Sequence, residues 1–309
     1  MIEQPGGDAT VDGRPGSGAA RPPVTSAMIE VRGSWLHYLE VGEGDPVLFL
    51  HGNPTSSFLW RNVIDQVARA GRRCIALDLI GMGESGKPDL EYRLADHISY
   101  VDAFVAAMRL SDLTLVGHDW GAVIALDHAR RFPDRVRGVA FLEGHLHPIE
   151  RWEDMDEGGR QLFQQLRTPG VGEQMIIGDN FFIETVLPAG VVRTLSPQEM
   201  DAYRGPFLDG SARRPMWRWP QEIPIEGTPA DVAALVTANQ SVITDQDTPK
   251  LLLHANPGAV IGPAEVAWCR DHGQALTIVD VGHGTHFLPE DRPDEIAAAL
   301  CGWLDDPNR

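Results

Sequence analysis

Short apolar runs alternate along the chain with stretches of helical periodicity. Few folds are compatible with this pattern. An apolar run of strand length must be buried on both faces of a sheet, and helices on each side of the sheet provide that cover. The alternation therefore predicts an α/β fold with a mostly parallel central sheet flanked by helices. The apolar runs are residues 46–52, 74–81, 113–119, 138–144, 250–258 and 275–282, and the helical stretches are 94–110, 122–131, 263–270 and 293–304.

The beginning of the chain differs from the rest. Residues 1–27 are rich in Gly, Pro, Ala and Asp and contain no apolar run that could serve as the core of a signal peptide. We expect a disordered tail here and, by default, a cytoplasmic protein. From residue 28 to 41, apolar and polar residues alternate on either side of an Arg-Gly turn, which predicts a half-buried β-hairpin.

Residues 147–230 interrupt the alternation. They contain no convincing buried strand, but they do contain three helical patterns separated by Pro and Gly, followed by a segment rich in Trp, Arg and Pro that we expect to be a loop. An insertion of this size between two strands is typical of a helical cap. Residues 28–146 and 231–309 would then form the α/β core.

The charge balance argues against several classes of partner. The chain has 44 Asp and Glu against 26 Lys and Arg, a formal net charge of −18, which repels nucleic acids and anionic lipid surfaces. No stretch approaches the roughly 18 to 20 apolar residues that a membrane span needs. Cys74, Cys269 and Cys301 lie far apart without a C-x-x-C pair, so we expect buried reduced thiols and no metal site.

The heptapeptide LVGHDWG, residues 115–121, joins an apolar run to a helical stretch. Many hydrolases place G-x-S-x-G at such a corner, and Asp119 stands where their serine would be. Gly117 and Gly121 permit a sharp turn that exposes the Asp119 side chain beside the backbone N–H of Trp120. A carboxylate attacks without a base to deprotonate it, so Asp119 is the candidate nucleophile; the alternative is an ordinary helix N-cap.

A second motif, HGNPTSSFLW at residues 51–60, follows another apolar run. Hydrolases of this architecture use this loop to supply a backbone N–H to an oxyanion hole. The side-chain amide of Asn53 and the indole N–H of Trp120 are two neutral donors that suit a departing anion such as halide. Asn53 could alternatively be a turn former that bonds within its own loop.

A general base and an acid complete the set. The segment VGHGTHFLPED offers His283 and His286 after the last strand, and we favour His286 as the base, with His283 as the alternative. The position after the 250–258 strand, which often carries the acid, holds Asn256. Glu143 ends an earlier apolar run and is the candidate that orients the histidine, although a Glu there could simply be solvated.

Together these motifs resemble those of the haloalkane dehalogenases of the α/β-hydrolase superfamily. The resemblance runs from about residue 28 to 304 and is carried by HGNPTSS, HDWG, a Glu acid after the sixth strand and a final HF-x-x-ED. It implies hydrolytic dehalogenation, in which Asp119 displaces halide to form an alkyl ester. His286, oriented by Glu143, would then activate water to hydrolyse that ester, without a metal or organic cofactor.

The resemblance also implies the remaining site assignments. Asn53 and Trp120 would hold the halide through their side chains and the oxyanion through their backbone N–H groups. The substrate pocket would include Phe163, Phe182, Val186 and Val260. Gly190 stands where a larger residue is common, so we expect a wider tunnel entrance. The partners would be a small halogenated alkane, water and the halide product, and the chain would be a monomer or a weak homodimer.

Four other functions remain to be weighed. Epoxide hydrolases share the Asp elbow but normally use two cap tyrosines, whereas Tyr203 is the only tyrosine between residues 147 and 230. Fluoroacetate dehalogenases favour Arg after the nucleophile, where this chain has Trp120. A luciferase-like oxygenase on the same framework is not excluded by motifs. A non-catalytic binding protein would not need nucleophile, base and acid together.

Overall fold

The structure, a computed structural model, describes residues 22–307. Its centre is an eight-stranded sheet of order β1-β2-β4-β3-β5-β6-β7-β8. The β1–β2 and β2–β4 pairs are antiparallel and the remaining pairs are parallel, which confirms the predicted mostly parallel sheet. The strands are β1 Val24–Val31, β2 Ser34–Val41, β3 Asp45–Leu50, β4 Arg72–Leu77, β5 Leu113–His118, β6 Val136–Leu142, β7 Lys250–Pro257 and β8 Leu276–Gly284.

The predicted hairpin is present at the edge of the sheet. Arg32 and Gly33 form its turn with φ values of 52° and 75°, as a two-residue type I′ turn requires. Strand β1 begins at Val24, so the predicted tail boundary at residue 27 is wrong, because residues 24–27 already pair with β2. The rest of the predicted tail, residues 1–21, lies outside the described residues.

Helices cover both faces of the sheet. The four helices predicted for the core are confirmed with small shifts at their ends, whereas α1, α8 and α9 were not predicted. The helices are α1 Arg61–Arg69, α2 Leu94–Ala107, α3 Trp120–Arg131, α4 Glu157–Leu166, α5 Val171–Glu173, α6 Leu187–Ala189, α7 Pro197–Arg204, α8 Arg214–Glu222, α9 Ala230–Thr244, α10 Pro263–His272, α11 Leu288–Asp291 and α12 Pro293–Leu304. Single 3-10 turns lie at Ser57–Trp60, Pro133–Arg135, Trp152–Asp154, Gly205–Phe207 and Gly210–Arg213, and π-helical turns at Gln174–Gly178 and Phe182–Val186.

The insertion between β6 and β7 is helical, from the turn at Trp152–Asp154 to α8. The chain segments that enter and leave the insertion form an isolated β-bridge at Ile149 and Ile225. The Ile149 N–H donates to the Pro224 carbonyl there at 2.9 Å. The expected loop rich in Trp, Arg and Pro is instead α8. Pro215 stands in its first turn, where a proline costs no hydrogen bond, and the buried Met216 and Trp219 fix the helix to the core. The division into core and cap at residues 147 and 230 remains a prediction.

Two apolar clusters lie on opposite faces of the sheet. The larger cluster includes Phe104 of α2, Ile124 of α3 and Trp219 of α8, and so joins the insertion to the core. The smaller cluster packs Val63 of α1 and Trp303 of α12 against the other face. Among residues 22–307, no helix is both long and apolar enough to cross a membrane.

Candidate active site

Asp119 lies at a sharp turn between β5 and α3. Its backbone has φ 54° and ψ −125°, a conformation that a non-glycine residue adopts only when its surroundings enforce it. The two flanking glycines are required by close contacts: a Cβ at Gly117 would lie 2.4 Å from the Gly121 carbonyl oxygen, and one at Gly121 would lie 2.1 Å from that of Leu50. The Asp119 side chain makes no capping bond to α3 in the described structure, which rules out the N-cap interpretation.

The loop after β3 reaches the Asp119 carboxylate. The backbone N–H of Asn53 donates to Asp119 Oδ2 at 2.8 Å, and a Cβ at Gly52 would lie 2.3 Å from the same oxygen. The loop is fixed farther along, where the Ser57 N–H donates to Asp78 at 2.6 Å. Asn53 Oδ1 is buried and has no hydrogen-bond partner among the described residues, so its side chain does not act as a turn former.

Trp120 is buried at the start of α3 and belongs to an aromatic column. Its ring stacks on Trp219 of α8 at 4.8 Å between centroids, and Trp219 stacks on His97 at 4.2 Å. His145 lies on Trp120 at 5.7 Å. The indole of Trp120 is therefore held in place by residues from both the core and the insertion.

His286 and Glu143 are brought together from distant parts of the chain. His286 Nδ1 donates to Glu143 Oε2 at 3.4 Å. The same oxygen accepts the backbone N–H groups of Ala259 at 3.0 Å and Val260 at 2.8 Å, and the Glu143 side chain is fully buried, which rules out the solvated alternative. His283 is exposed and bonds through Nδ1 to the Asn256 carbonyl, so His286 is the histidine beside the acid.

The electrostatics of these groups are coupled. Burial raises the pKa of the Asp119 carboxyl to about 6, although the charge of His286 and the N–H groups of Asn53 and Trp120 oppose the rise. Burial alone would lower the pKa of His286, but its bond to Glu143 and the charges of Asp119 and Glu143 raise it overall. The ionised form of Asp119 and the protonated form of His286 therefore stabilise each other.

The neighbouring imidazoles shift in the opposite direction to His286. Burial lowers the pKa of His118 well below its ordinary value and that of His145 to about 4, and in both cases the charge of His286 adds to the effect. Burial also lowers the pKa of His51. Among these four histidines, only His286 has a raised pKa.

The four predicted pocket residues lie in different settings. Phe182 is buried, whereas Phe163 and Val186 are partly buried, and all three pack in the larger apolar cluster. Val260 is partly buried beside the acid, since its N–H binds Glu143. Their role as a pocket lining remains a prediction. Within residues 22–307, no group of three or more His, Cys, Asp and Glu side chains is arranged to hold a metal ion.

Gly190 is packed against an aromatic ring. A Cβ at this position would lie 2.8 Å from two ring carbons of Phe287, so the ring fills the space that a larger side chain would take. The wider tunnel entrance remains a prediction.

Sequence reasoning missed three residues that border the site: His118, His145 and Trp219. His118 directly precedes the nucleophile candidate and was available from the motif itself. His145 lies two residues after Glu143, at the carboxyl end of β6, where a polar residue could have been noticed. Trp219 had no such signal, because the helix that carries it was interpreted as a loop.

Comparison with known proteins identifies the family. Residues 45–168 match the family model described as alpha/beta hydrolase fold. A haloalkane dehalogenase from Mesorhizobium japonicum is 46% identical over 297 residues, covering 93% of this chain and 96% of that protein. One from Sphingobium indicum is 45% identical over 291 residues, covering 92% and 97%. The crystal structure of haloalkane dehalogenase DbeA from Bradyrhizobium elkani USDA94 has a TM-score of 0.88 at 42% identity, covering 91% of this chain and 98% of that one. The chain belongs to the haloalkane dehalogenase family of the α/β-hydrolase fold.

Proposed function

We propose that the protein hydrolyses haloalkanes to alcohol, halide and a proton through an alkyl ester of Asp119. The observation that carries this proposal is the environment of one carboxylate: Asp119 is buried, with its Oδ2 held by the Asn53 N–H at 2.8 Å. Burial strips water from the carboxylate and so favours its attack on an apolar carbon. Its elevated pKa, about 6, still leaves it ionised at neutral pH.

The first step is a displacement at carbon. Because Oδ2 is bound to Asn53, Oδ1 of Asp119 is the oxygen free to attack. The new bond joins Oδ1 to the alkyl carbon, the carbon–halogen bond breaks, and halide leaves with the bonding electron pair. The Asn53 amide and the Trp120 indole are the donors we assign to the leaving halide, and the stacking of Trp120 on Trp219 supports a fixed indole direction.

The second step is hydrolysis of the ester at its own carbonyl. His286 removes a proton from water, the water oxygen attacks Cγ of Asp119, and Oδ2 becomes the oxyanion beside the N–H groups of Asn53 and Trp120. Collapse breaks the Cγ–Oδ1 bond while the imidazolium of His286 returns its proton to Oδ1, so the alcohol leaves with the original Oδ1 and the new carboxyl group of Asp119 then ionises. Glu143 supports the imidazolium formed on His286 through the Nδ1 bond. Asp119 is regenerated and a proton is released.

Loss of charge on Asp119 links the two steps. The Asp119 carboxylate is one of the causes that raise the pKa of His286, and alkylation removes its charge. The imidazole thus loses its proton more readily once the ester has formed. The base becomes available at the stage at which it is required.

Epoxide hydrolysis is not favoured. Such an enzyme would need cap tyrosines free to donate to the epoxide oxygen, and the hydroxyl of Tyr203 instead donates to the buried carboxylate of Glu290. No observation favours the fluoroacetate, oxygenase or non-catalytic alternatives. The small halogenated alkane as substrate, the cytoplasmic location and the state of monomer or weak homodimer are likewise our proposals.

Release of halide and protons from brominated alkanes tests the function. We expect the purified protein to release one bromide and one proton for each alcohol formed from 1-bromobutane or 1,2-dibromoethane. A protein that only binds ligands would release neither. Comparing chloro-, bromo- and iodoalkanes of increasing length would then define the preferred substrate.

A further inference from the structure

The loop that carries His286 is held by residues that do not belong to the catalytic set. We define the base loop as residues 285–292 and the cap arm as residues 187–204, which contains α6 and α7. The long contact between His286 Nδ1 and Glu143, 3.4 Å, fixes the ring only weakly. The position of the imidazole must therefore depend on how its backbone is held.

One carbonyl of the cap arm binds the residues on both sides of His286. The Gly190 oxygen accepts the Phe287 N–H at 3.0 Å and the Thr285 hydroxyl at 2.8 Å. The Phe287 ring packs on Gly190 so closely that no Cβ would fit there. On the other side, His118 Nε2 donates to the His286 carbonyl at 2.8 Å. His286 is thus fixed between the cap arm and the residue that precedes Asp119.

The cap arm is in turn locked to the base loop and the core by a buried carboxylate. Glu290 is fully buried and accepts Arg61 of α1 through two bonds, of 2.6 and 2.8 Å. It also accepts Arg193 and the hydroxyl of Tyr203, both from the cap arm. Glu199 of α7 binds the same two arginines, each at 2.7 Å. We call these five side chains the Glu290 cluster.

Backbone contacts strengthen the same junction. The N–H groups of Val192 and Arg193 donate to the Asp291 carboxylate at 2.9 and 3.0 Å. Arg193 Nε donates to the Glu290 carbonyl at 2.7 Å. The cap arm thus contacts four residues of the base loop, Thr285, Phe287, Glu290 and Asp291, and all four lie within five positions of His286. A movement of the cap arm would therefore be passed directly to His286.

We propose that the Glu290 cluster and the Gly190 carbonyl position His286 for ester hydrolysis, so that the base is in place only while the cap arm is docked. The inference rests on the proposed function and deepens it. Alkylation needs Asp119 and the halide donors, none of which bonds to the cap arm through these contacts. Loosening the arm should consequently slow the second step and spare the first. A purely structural role would instead weaken both steps or only lower the melting temperature.

The test compares two equivalent substitutions. Glu290→Gln removes the charge at the centre of the cluster, whereas Glu40→Gln breaks an ion pair with Arg73, at 2.6 Å, that joins β2 to β4 and involves neither the cap arm nor the base loop. Rapid-quench measurements with 1-bromobutane would give the rate of the bromide burst and the rate of ester hydrolysis. Intact-mass spectrometry would give the fraction of alkylated protein at steady state.

For Glu290→Gln we expect hydrolysis to slow roughly tenfold or more, since small displacements of catalytic groups have effects of this order. The bromide burst should stay within about twofold of the parent, and alkylated protein should accumulate. Glu40→Gln should match the parent in both steps. Equal slowing of the two steps, or unchanged hydrolysis, in Glu290→Gln would overturn the proposal.

Tyr203→Phe keeps the test decisive if Glu290→Gln does not fold. It removes one hydroxyl from the cluster and keeps the ring, which packs edge-on against Phe58 at 5.2 Å. The same shift towards accumulated ester should appear, and an unchanged ratio of the two rates would overturn the proposal. If the parent itself releases no bromide and forms no adduct, the proposed function fails. If the parent reacts normally and only the ratio is insensitive, the positioning inference alone fails.

Discussion

The backbone N–H of Asn53 donates to Oδ2 of Asp119 at 2.8 Å, and this contact distinguishes the two oxygens of the carboxylate. In the proposed mechanism, the bound oxygen becomes the ester carbonyl oxygen and then the oxyanion, while the other oxygen attacks the substrate carbon. The same N–H can therefore serve in both steps without moving. Because it belongs to the backbone, it also survives substitution of the Asn53 side chain.

Replacement of Asp119 tests the nucleophile. Asp119→Ala should lower halide release by at least about 10,000-fold, because no other group can form the ester. The elbow should persist, since its glycines and the buried strand remain. Halide assays and thermal melting would measure the two properties separately. A folded Asp119→Ala protein with comparable turnover would exclude the mechanism.

The halide donors should act on the first step. Asn53→Ala and Trp120→Phe should each weaken halide binding and raise the barrier to displacement by about 3 kcal/mol, because each removes one donor to the developing anion. Quenching of tryptophan fluorescence by halide would measure binding. Trp268→Phe is a suitable control, because Trp268 packs between His147 and His272 and is assigned no role in the site. Parent-like quenching in both test variants would place the halide elsewhere.

The elevated pKa of Asp119 predicts the acid limb of the pH profile. Only the ionised carboxylate attacks, so the bromide burst should decline below pH about 6, approaching tenfold per pH unit. Ester hydrolysis needs neutral His286, so its rate should increase as the pH rises through the pKa of that imidazole. In the alkylated protein this pKa should be lower than in the free protein, because the ester removes the charge of Asp119. Pre-steady-state measurements across this range would separate the two limbs. A burst rate independent of pH below 6 would contradict the assignment.

The sequence allowed prediction of the sheet and of the candidate site because both leave local signals. Buried parallel strands are recognisable as apolar runs, and their carboxyl ends bring Asp119 and Glu143 to one edge whatever the details of packing. Asn53 follows from the position of its loop after such a strand. These features depend on residues close in sequence to each element.

Features that depend on tertiary packing were not predictable. The Trp-rich segment forms α8 because Met216 and Trp219 are buried by distant residues, which outweighs the two prolines in its local pattern. Helix α9, rich in Ala and Val, has little contrast between its faces, so its periodicity gave no signal. The packing of Phe287 on Gly190, nearly a hundred residues away, likewise left no signal in the local sequence.

A histidine–aspartate pair outside the candidate site, His37 and Asp78, should contribute to stability in a pH-dependent way. His37 Nδ1 lies 2.8 Å from Asp78 Oδ2, and Asp78 also fixes the Asn53 loop through Ser57. The bond to Asp78 is the main cause that raises the pKa of His37, with the charges of Asp78 and Glu84 adding to it. A raised histidine pKa stabilises the fold fully below the unfolded value and loses this contribution as pH rises through the folded value.

His37→Gln should therefore reduce the free energy of unfolding more at pH about 5.5 than at pH about 8.5, because the charged imidazole that binds Asp78 is present only at the lower pH. Urea titrations of parent and variant at both values would measure the difference. His283→Gln is the matched control, because His283 is exposed and bonds only to a backbone carbonyl in the described structure. An equal loss at both pH values would show that the His37–Asp78 pair acts through shape rather than charge.

Replacement of the base separates the two chemical steps most sharply. His286→Phe should release about one halide per protein and then stop, because alkylation needs only Asp119 and the halide donors, whereas hydrolysis needs the imidazole. Intact-mass spectrometry would show the added alkyl group, and peptide mapping would place it on Asp119. His283→Phe should turn over like the parent, since His283 bonds to the Asn256 carbonyl and is not beside Glu143. Accumulation of the ester in His283→Phe instead would reverse the choice of histidine.

Glu143→Gln provides a graded version of the same experiment. Glu143 Oε2 accepts His286, Ala259 and Val260, whereas Oε1 is buried and has no hydrogen-bond partner among the described residues. A Gln that keeps its carbonyl at the Oε2 position retains these contacts and removes only the charge. Hydrolysis should then slow by roughly a hundredfold or more, yet remain measurable, because the histidine is present but its imidazolium is no longer stabilised. If Glu143→Gln hydrolyses the ester at the parent rate, another group supports His286. If the parent releases halide but neither Glu143→Gln nor His286→Phe accumulates an adduct, the covalent mechanism is wrong.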